Sequence, residues 1–285
     1  MPELPEVEHI RRGLREHIAG KTIARVSLPF PGLVKNMDAA AFIEKICEQK
    51  VGVLRRRGKY ILVYLDQYLL EIHLRMTGTF LFYPGVVEPG PHTRAVFTFQ
   101  GSDETLHFQD IRKFGTFRLW EHGETEVSPA FCLGLDPLED DFCFSRFAER
   151  LQAKPHTRLK SFLLDQKNIA GLGNIYVDEA LHRARIHPSR LLKTLSEREK
   201  RALHVSIVAL LQESIQWGGT SFSDYRGLQG QRGVFQEHLK VYQKEKEPCC
   251  HCGHPLARIV HAGRGTYLCL RCQEPPLLSP GSIQS

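Results

Sequence analysis

Two groups of residues in this chain of 285 carry clear chemical potential, and they lie at opposite ends. Toward the C-terminus, Cys249 and Cys252 form one CxxC pair and Cys269 and Cys272 a second, with sixteen residues (253–268) between the pairs. This spacing matches a zinc ribbon, in which each pair turns two thiolates toward a shared ion and the four close a tetrahedron with no open position. The expected cofactor is one structural Zn2+. A redox motif needs only one pair, and disulfides are not expected in a cytosolic chain. Cys250 and His251 sit inside the first knuckle and are read as bystanders. A hairpin is expected to join the knuckles, with HAGRGT (261–266) at its tip. There Arg264 stands between glycines, which let the chain approach an anion such as phosphate closely.

At the other end the chain reads MPELPEVE. Removal of Met1 by an aminopeptidase would leave Pro2 with a free secondary amine. An α-amino group of pKa about 7.7–8.0 is roughly a quarter to 40% free base at pH 7.5, against about 0.1% for an ordinary lysine. Such an amine can attack a sugar C1′ and form an iminium without a buried pocket. Glu3 and Glu6 supply carboxylates beside it for proton transfer. On these residues alone another account stays open: many chains begin Met-Pro, and acids at a helix N-terminus favour the macrodipole.

The elements that must position these groups fall into two blocks. A first helix is expected from Pro5, whose fixed φ suits a first turn, with Val7, Ile10, Leu14 and Ile18 on one face and Gly20 as its stop. Short β-branched and aromatic runs then alternate with turns at 51–54, 60–65, 69–74, 79–83, 95–99, 105–108 and 116–120, which reads as an antiparallel sandwich or flattened barrel with one helix packed on it. Residues 122–137, rich in Gly, Pro and acids, read as a linker. Helices are expected at 142–151, 158–166 and 175–183, and a longer one from Ser196, where Glu199 completes a capping box; Gly218 and Gly219 end it. The expected fold class is α+β in two domains. The division is a β-sandwich with a leading helix (1–121), the linker (122–137), a helical domain (138–248), the zinc-ribbon hairpin (249–273) and a disordered tail (274–285).

Hydrophobic residues make up 42% and charged residues 25%, as in an ordinary globular protein. No run approaches the roughly 18 apolar residues of a membrane span, and the acidic, proline-punctuated start does not read as a signal peptide. A cytosolic location is expected. The net charge of +6 permits a polyanionic partner without demanding one.

Taken together, MPELPEVE, RRRGKY (55–60), DQKNIAGLGNIYVDEALHRARIHP (165–188), GGT (218–220) and the four-cysteine ribbon with AGRGT closely resemble, in this order, the formamidopyrimidine-DNA glycosylase (Fpg) family, over residues 2–273. The resemblance implies a bacterial, nucleoid-associated monomer that needs no nucleotide cofactor. Its partner would be double-stranded DNA with oxidised or abasic sites, held in a cleft between the domains. It implies that Pro2 is the Schiff-base nucleophile, Glu3 the general acid/base and Glu6 its support. Lys59, after three arginines in a β-hairpin, would contact phosphate near the lesion, and with Arg264 is counted among the catalytic residues. Asn174, following the turns of 170–173 in a helix–two-turn–helix motif, would bind phosphate, as would Arg264. Lys113 stands where the family often has Arg, replacing a bidentate donor by a point charge. His92 joins the DNA-facing set, although His92-Thr93-Arg94 departs from the paired histidines common near this strand. Met76, Arg112 and Phe114 would fill the gap left by a flipped nucleotide, whose extrusion costs a few kcal/mol; core packing is the alternative for Met76 and Phe114. Residues 220–233 align with the family's variable lesion-recognition loop.

The implied activity is that of a bifunctional glycosylase and AP lyase of base-excision repair. It would remove 8-oxoguanine and formamidopyrimidines through a Pro2 Schiff base and cut the strand by β,δ-elimination. Three other readings are weighed. An endonuclease VIII-like enzyme for oxidised pyrimidines is disfavoured by ELPE at 3–6 and by the Met76, Arg112 and Phe114 set. A non-catalytic zinc DNA-binding protein leaves Pro2, Glu3, Lys59 and Asn174 together without a purpose. A zinc-ribbon adaptor for other proteins leaves the phosphate-contact set unexplained.

Overall fold

The computed structural model describes residues 1–221, 227–228, 230–231 and 233–275. Most of the expected lesion loop (222–226, 229 and 232) and residues 276–285 of the expected tail lie outside the described residues. The chain packs as two units, Met1–Leu133 with Glu213–Glu237, and Gly134–Gln212 with the residues from His238 onward.

In the first unit, α1 (Leu4–Ile18) starts one residue before the expected Pro5, because Glu3 is its N-cap and forms a capping box with Glu6. Gly20 follows at φ 82° and turns the chain away. Two four-stranded antiparallel sheets follow. One orders β2 (Val51–Arg57), β3 (Tyr60–Leu65), β4 (Tyr68–His73) and β8 (Thr116–Glu121); the other orders β1 (Ile23–Ser27), β6 (Thr93–Phe99), β7 (Thr105–Gln109) and β5 (Thr79–Tyr83). Ile61, Val63, Leu70 and Ile72 of the first sheet share one core with Phe80, Phe97 and Phe108 of the second. Val7, Ile10, Leu14 and Ile18 of α1 complete that core, so the periodic face seen in the sequence is the buried one.

Two elements of this unit were not anticipated. β1 is short, and α2 (Ala39–Ile46) is eight residues long and buries only Phe42 and Ile46, too few for a periodic signal. Its local signal is Asp38, whose carboxylate accepts the Ala41 N–H at 2.9 Å. β2 also runs on to Arg57, beyond the expected end at residue 54. It is an edge strand, where arginines are normal. The stretch read as a linker begins with a 3-10 turn, His122–Val127, and then buries Ser128 and Ala130 beside the Glu71 carboxylate.

The second unit carries α3 (Phe144–Gln152), α4 (Leu159–Leu164), α5 (Asn174–Ala184) and most of α6 (Glu197–Gln216), with the hairpin β9 (Ala257–His261) and β10 (Arg264–Leu268). The expected capping box of α6 is present: Ser196 N donates to Glu199 Oε2 at 2.7 Å and Glu199 N to Ser196 Oγ at 3.3 Å. α4 is shorter than expected because the amide of Gln166 leaves the helix to tie the following turns, donating to Leu172 O at 2.8 Å and accepting from Gly171 N at 2.8 Å. Among the described residues no helix is long and apolar enough to cross a membrane.

Candidate active site and metal centre

The first turn of α1 is built around Glu6. Its Oε2 accepts the Glu3 N–H at 2.8 Å, and its Oε1 accepts the Thr220 N–H at 2.8 Å and the Thr220 hydroxyl at 3.0 Å. Pro2, Glu3 and Glu6 are all buried. Thr220 reaches the carboxylate because Gly218 and Gly219 stop α6 at φ 73° and 80°. A Cβ on Gly219 would stand 2.8 Å from Glu6 Oε1, so glycine is required there by both contact and conformation. The arrangement fixes the backbone on which Pro2 sits and places the Glu3 carboxyl group one residue from it. While Met1 is attached, the Pro2 nitrogen is a planar amide without a nucleophilic lone pair. Amine chemistry at Pro2 would require a chain from which Met1 has been removed.

Met1 lines an open depression together with Lys35, Arg75, Met76, Lys113, Phe114 and Thr116. Three cations therefore surround two exposed apolar side chains, Met76 at 37% and Phe114 at 50% exposure. This exposure removes core packing as an account of either residue. The Arg112 guanidinium lies 4.8 Å from the Phe114 ring centroid. These residues sit on two loops joined from below by buried Asp110. Its carboxylate accepts the Thr77 hydroxyl, the Arg112 N–H at 3.2 Å and the Gly115 N–H at 2.7 Å, while Arg94 Nε donates to the Asp110 carbonyl at 2.8 Å. Each loop holds a non-glycine residue in the left-handed region, Arg75 at φ 54° and Lys113 at φ 59°. Such strain persists only where neighbours over-determine it, and the Asp110–Thr77 tie does so here. His92 is exposed beside this network, and its carbonyl accepts the Asp110 N–H at 2.9 Å. It does not line the depression.

Lys59 follows Gly58 (φ 55°) in the tight turn between β2 and β3 and is buried. The hairpin is tied to α1 through Glu8. Arg11 and Arg12 donate to the Glu8 carboxylate at 2.8–2.9 Å, and Arg56 lies 3.4 Å from it. Burial pushes the Glu8 pKa up, but the arginines outweigh it and hold the carboxyl below its usual range. Across the β3–β4 pairing, burial drives the His73 imidazole down to about 3, with the charges of Arg75, Lys59 and Arg118 adding to the effect. His73 is thus neutral, and its Nδ1 accepts the Arg75 N–H at 2.9 Å.

In the second unit, α4, the turns of 165–173 and α5 form the helix–two-turn–helix. Asn174 begins α5, and its amide donates to the Gly265 carbonyl on β10 at 2.8 Å. Arg264, exposed, follows the two-residue turn Ala262-Gly263, both at positive φ (49° and 73°), as a type I′ hairpin demands. The hairpin is anchored to the helices by fully buried Lys160, whose Nζ reaches Asp178 Oδ1 at 2.6 Å and Thr266 Oγ1 at 2.8 Å. Asp178 Oδ2 in turn accepts the Tyr267 N–H at 3.0 Å. Burial raises the Asp178 pKa to about 6 against the pull of Lys160. Asn174 and Arg264 therefore belong to one braced substructure.

Cys249, Cys252, Cys269 and Cys272 bring their sulfurs within 4.8 Å of one another, with Cys252–Cys269 at 3.5 Å and Cys249–Cys272 at 3.9 Å. Tetrahedral zinc with Zn–S bonds of about 2.3 Å needs sulfurs about 3.8 Å apart. The donor set and its spacing fit one enclosed structural zinc, which would tie both knuckles to the base of the β9–β10 hairpin.

Two features stand out before any likeness is considered: a buried Pro2 beside the Glu3–Glu6–Thr220 lock in one unit, and a helix–two-turn–helix braced to a four-cysteine hairpin in the other. Family models match in the same order. Residues 1–117 match the formamidopyrimidine-DNA glycosylase N-terminal domain, 133–226 the formamidopyrimidine-DNA glycosylase H2TH domain, and 246–275 the zinc finger found in FPG and IleRS. The chain is 42% identical over 275 residues to a formamidopyrimidine-DNA glycosylase of Cytobacillus firmus, covering 96% of this chain and 100% of that one. It is 43% identical over 276 residues to the enzyme of Halalkalibacterium halodurans, with the same coverage. Among solved structures, a complex between the Lactococcus lactis Fpg and an abasic site containing DNA superposes with a TM-score of 0.87 at 36% identity, covering 96% of this chain and 100% of that one. The chain belongs to the formamidopyrimidine-DNA glycosylase family.

Several supporting residues escaped the sequence reading. Asp110, Thr77, Glu8 and Lys160 carry no local motif, and each acts through a partner distant in sequence. The available signal was Lys160 on the LKSFLL turn of α4, among Leu159, Phe162 and Leu163, where a charge needs a buried partner.

Proposed function

We propose that this chain is a bifunctional DNA glycosylase and AP lyase that excises oxidised purines, 8-oxoguanine and formamidopyrimidines opposite cytosine, in bacterial base-excision repair at the nucleoid. The observation that carries the proposal is the Glu6 bridge between Glu3 and Thr220, which fixes the N-terminal turn while Met1 lines the depression that holds Met76 and Phe114.

With Met1 removed, the Pro2 nitrogen lone pair attacks C1′ of the flipped nucleotide. The glycosidic bond breaks and the base leaves with its electron pair, taking a proton from solvent. Glu3 accepts the proton released by the amine and returns it to O4′ as the C1′–O4′ bond opens, leaving an iminium between Pro2 and the sugar. The iminium acidifies C2′, so proton loss there expels the 3′ phosphate, and a second elimination expels the 5′ phosphate. Water then frees the enzyme. Met76 and Phe114 fill the vacated stack, Arg112 faces the orphaned base, and Lys59, Lys113, Asn174, Arg264 and His92 hold the backbone. Zinc takes no part in these steps; it holds the hairpin that presents Arg264. The DNA complexes of the relatives, one with an abasic site and one with carbocyclic 8-oxo-G containing DNA, are the kind of partner this site fits.

The test is cleavage of labelled duplexes by Met1-processed protein, with 8-oxoguanine opposite cytosine, thymine glycol opposite adenine, and an abasic site. The expected product is a one-nucleotide gap with phosphate at both ends, formed fastest from the 8-oxoguanine duplex. Faster cleavage of thymine glycol would move the specificity to oxidised pyrimidines. Binding to the abasic duplex without a nick would leave a non-catalytic DNA-binding protein.

A further inference from the structure

Cys250 and His251, set aside as bystanders on sequence, do not stand alone in the fold. The last turn of α5 brings His182 to them, so that one potential ligand atom from each of His182, Cys250 and His251 lies within 4.8 Å of the other two. The imidazoles of His182 and His251 stack with ring centroids 5.0 Å apart and planes 27° from parallel. None of the three belongs to the Cys249, Cys252, Cys269 and Cys272 tetrahedron.

We propose that His182, Cys250 and His251 form a second metal site, for a borderline divalent ion of the zinc class, on the outer face of the first knuckle. One thiolate and two imidazoles suit zinc or cobalt and do not suit magnesium or calcium, which demand oxygen ligands. His182 is buried, and its Nε2 lies 3.3 Å from Cys249 Sγ, so one ligand is held against the structural tetrahedron. Cys250 and His251 are exposed, so an ion can reach them from solvent. Three protein ligands leave a fourth position for water. An ion here exchanges with solvent, whereas one enclosed by four cysteines does not. The site lies wholly within the second unit and is independent of the glycosylase reading.

The experiment adds Co2+ to the zinc-loaded full chain under a phosphine reductant, with visible absorption and elemental analysis as readouts. One further equivalent of cobalt is expected, with tetrahedral d–d bands and the weak charge-transfer absorption of a single thiolate, while one zinc per chain is retained. A mild chelator should then remove the cobalt and leave the zinc. Cys250→Ala and His251→Ala, both at exposed positions, should each weaken cobalt binding at least tenfold with the zinc content unchanged; His182→Phe should do the same. Three results would overturn the proposal: no cobalt uptake by the wild type, cobalt that replaces zinc one for one with a four-thiolate spectrum, or equal uptake by Cys250→Ala and His251→Ala.

Discussion

The Glu6 carboxylate and Thr220 are joined twice, through the Thr220 backbone N–H at 2.8 Å and its hydroxyl at 3.0 Å, across 214 positions of sequence. The turn that ends α6 is thereby locked to the turn that begins α1. Gly219 is the residue most exposed to a test of this lock. Gly219→Ala would add the cost of a left-handed alanine, roughly 1–2 kcal/mol, and place a Cβ 2.8 Å from Glu6 Oε1. Gly218→Ala carries a similar conformational cost, but its Cβ meets nothing nearer than 3.6 Å. Urea denaturation should show Gly219→Ala less stable than Gly218→Ala by about 1–2 kcal/mol, with the larger loss of strand cleavage. Equal losses would remove the lock from the account.

Phe114 and Asp110 separate wedge from support. Phe114 is half exposed, so Phe114→Ala should change stability by less than about 1 kcal/mol while slowing excision from duplex DNA at least tenfold. Cleavage of a single-stranded abasic oligonucleotide, which needs no flipping, should be almost unaffected. Asp110→Ala should instead destabilise the unit by about 3 kcal/mol, because it leaves the buried Gly115 N–H and the Thr77 hydroxyl without their acceptor, while the Arg112 N–H keeps Thr77 Oγ1 at 3.0 Å. Thermal melting and the two substrates together distinguish the cases.

Arg264 is exposed at the hairpin turn and braced from beneath by Lys160, Asp178 and Thr266. Arg264→Ala should leave the melting temperature unchanged, weaken binding to abasic duplex and lower the slope of log K against log salt by about 1. An unchanged slope would mean that Arg264 neutralises no phosphate.

The neutral state of His73 gives the first unit an acid-sensitive element. Its folded pKa is about 3 against 6.5 for a solvated imidazole, so below pH 6.5 the unfolded chain binds the extra proton. Its contribution is present in full above pH 6.5 and is lost progressively as pH falls toward about 3. Between pH 6.5 and 5 the loss should be about 2 kcal/mol. His73→Gln, which can still accept the Arg75 N–H, should flatten the pH dependence of urea stability by that amount. An unaltered slope would show that His73 is protonated in the folded chain.

What could be read from sequence was whatever is contiguous. Pro2 with Glu3, the two CxxC pairs, the capping box of Ser196 and Glu199, and the apolar face of α1 each sit within a few residues, and the structure realises the local geometry they encode. Contacts that close through space were hidden. Thr77 and Asp110 are 33 positions apart, and Lys160 and Thr266 are 106. His182 gave no sign that it meets Cys250 and His251 until α5 was placed against the knuckle. The last three residues of β2, all arginines, were not seen as strand because a charged edge strand lacks the apolar alternation of a central one.

The central claim is that Pro2, freed of Met1, forms the covalent link to DNA. The most direct measurement is borohydride trapping on a duplex carrying 8-oxoguanine opposite cytosine, run with Met1-processed protein, with protein that retains Met1, and with processed Pro2→Gly. The account predicts a covalent protein–DNA band whose peptide map places the modification on the Pro2 nitrogen, absent when Met1 is retained and weakened in Pro2→Gly. A band of equal strength from the chain that keeps Met1, or a cross-link mapped to a lysine, would contradict it.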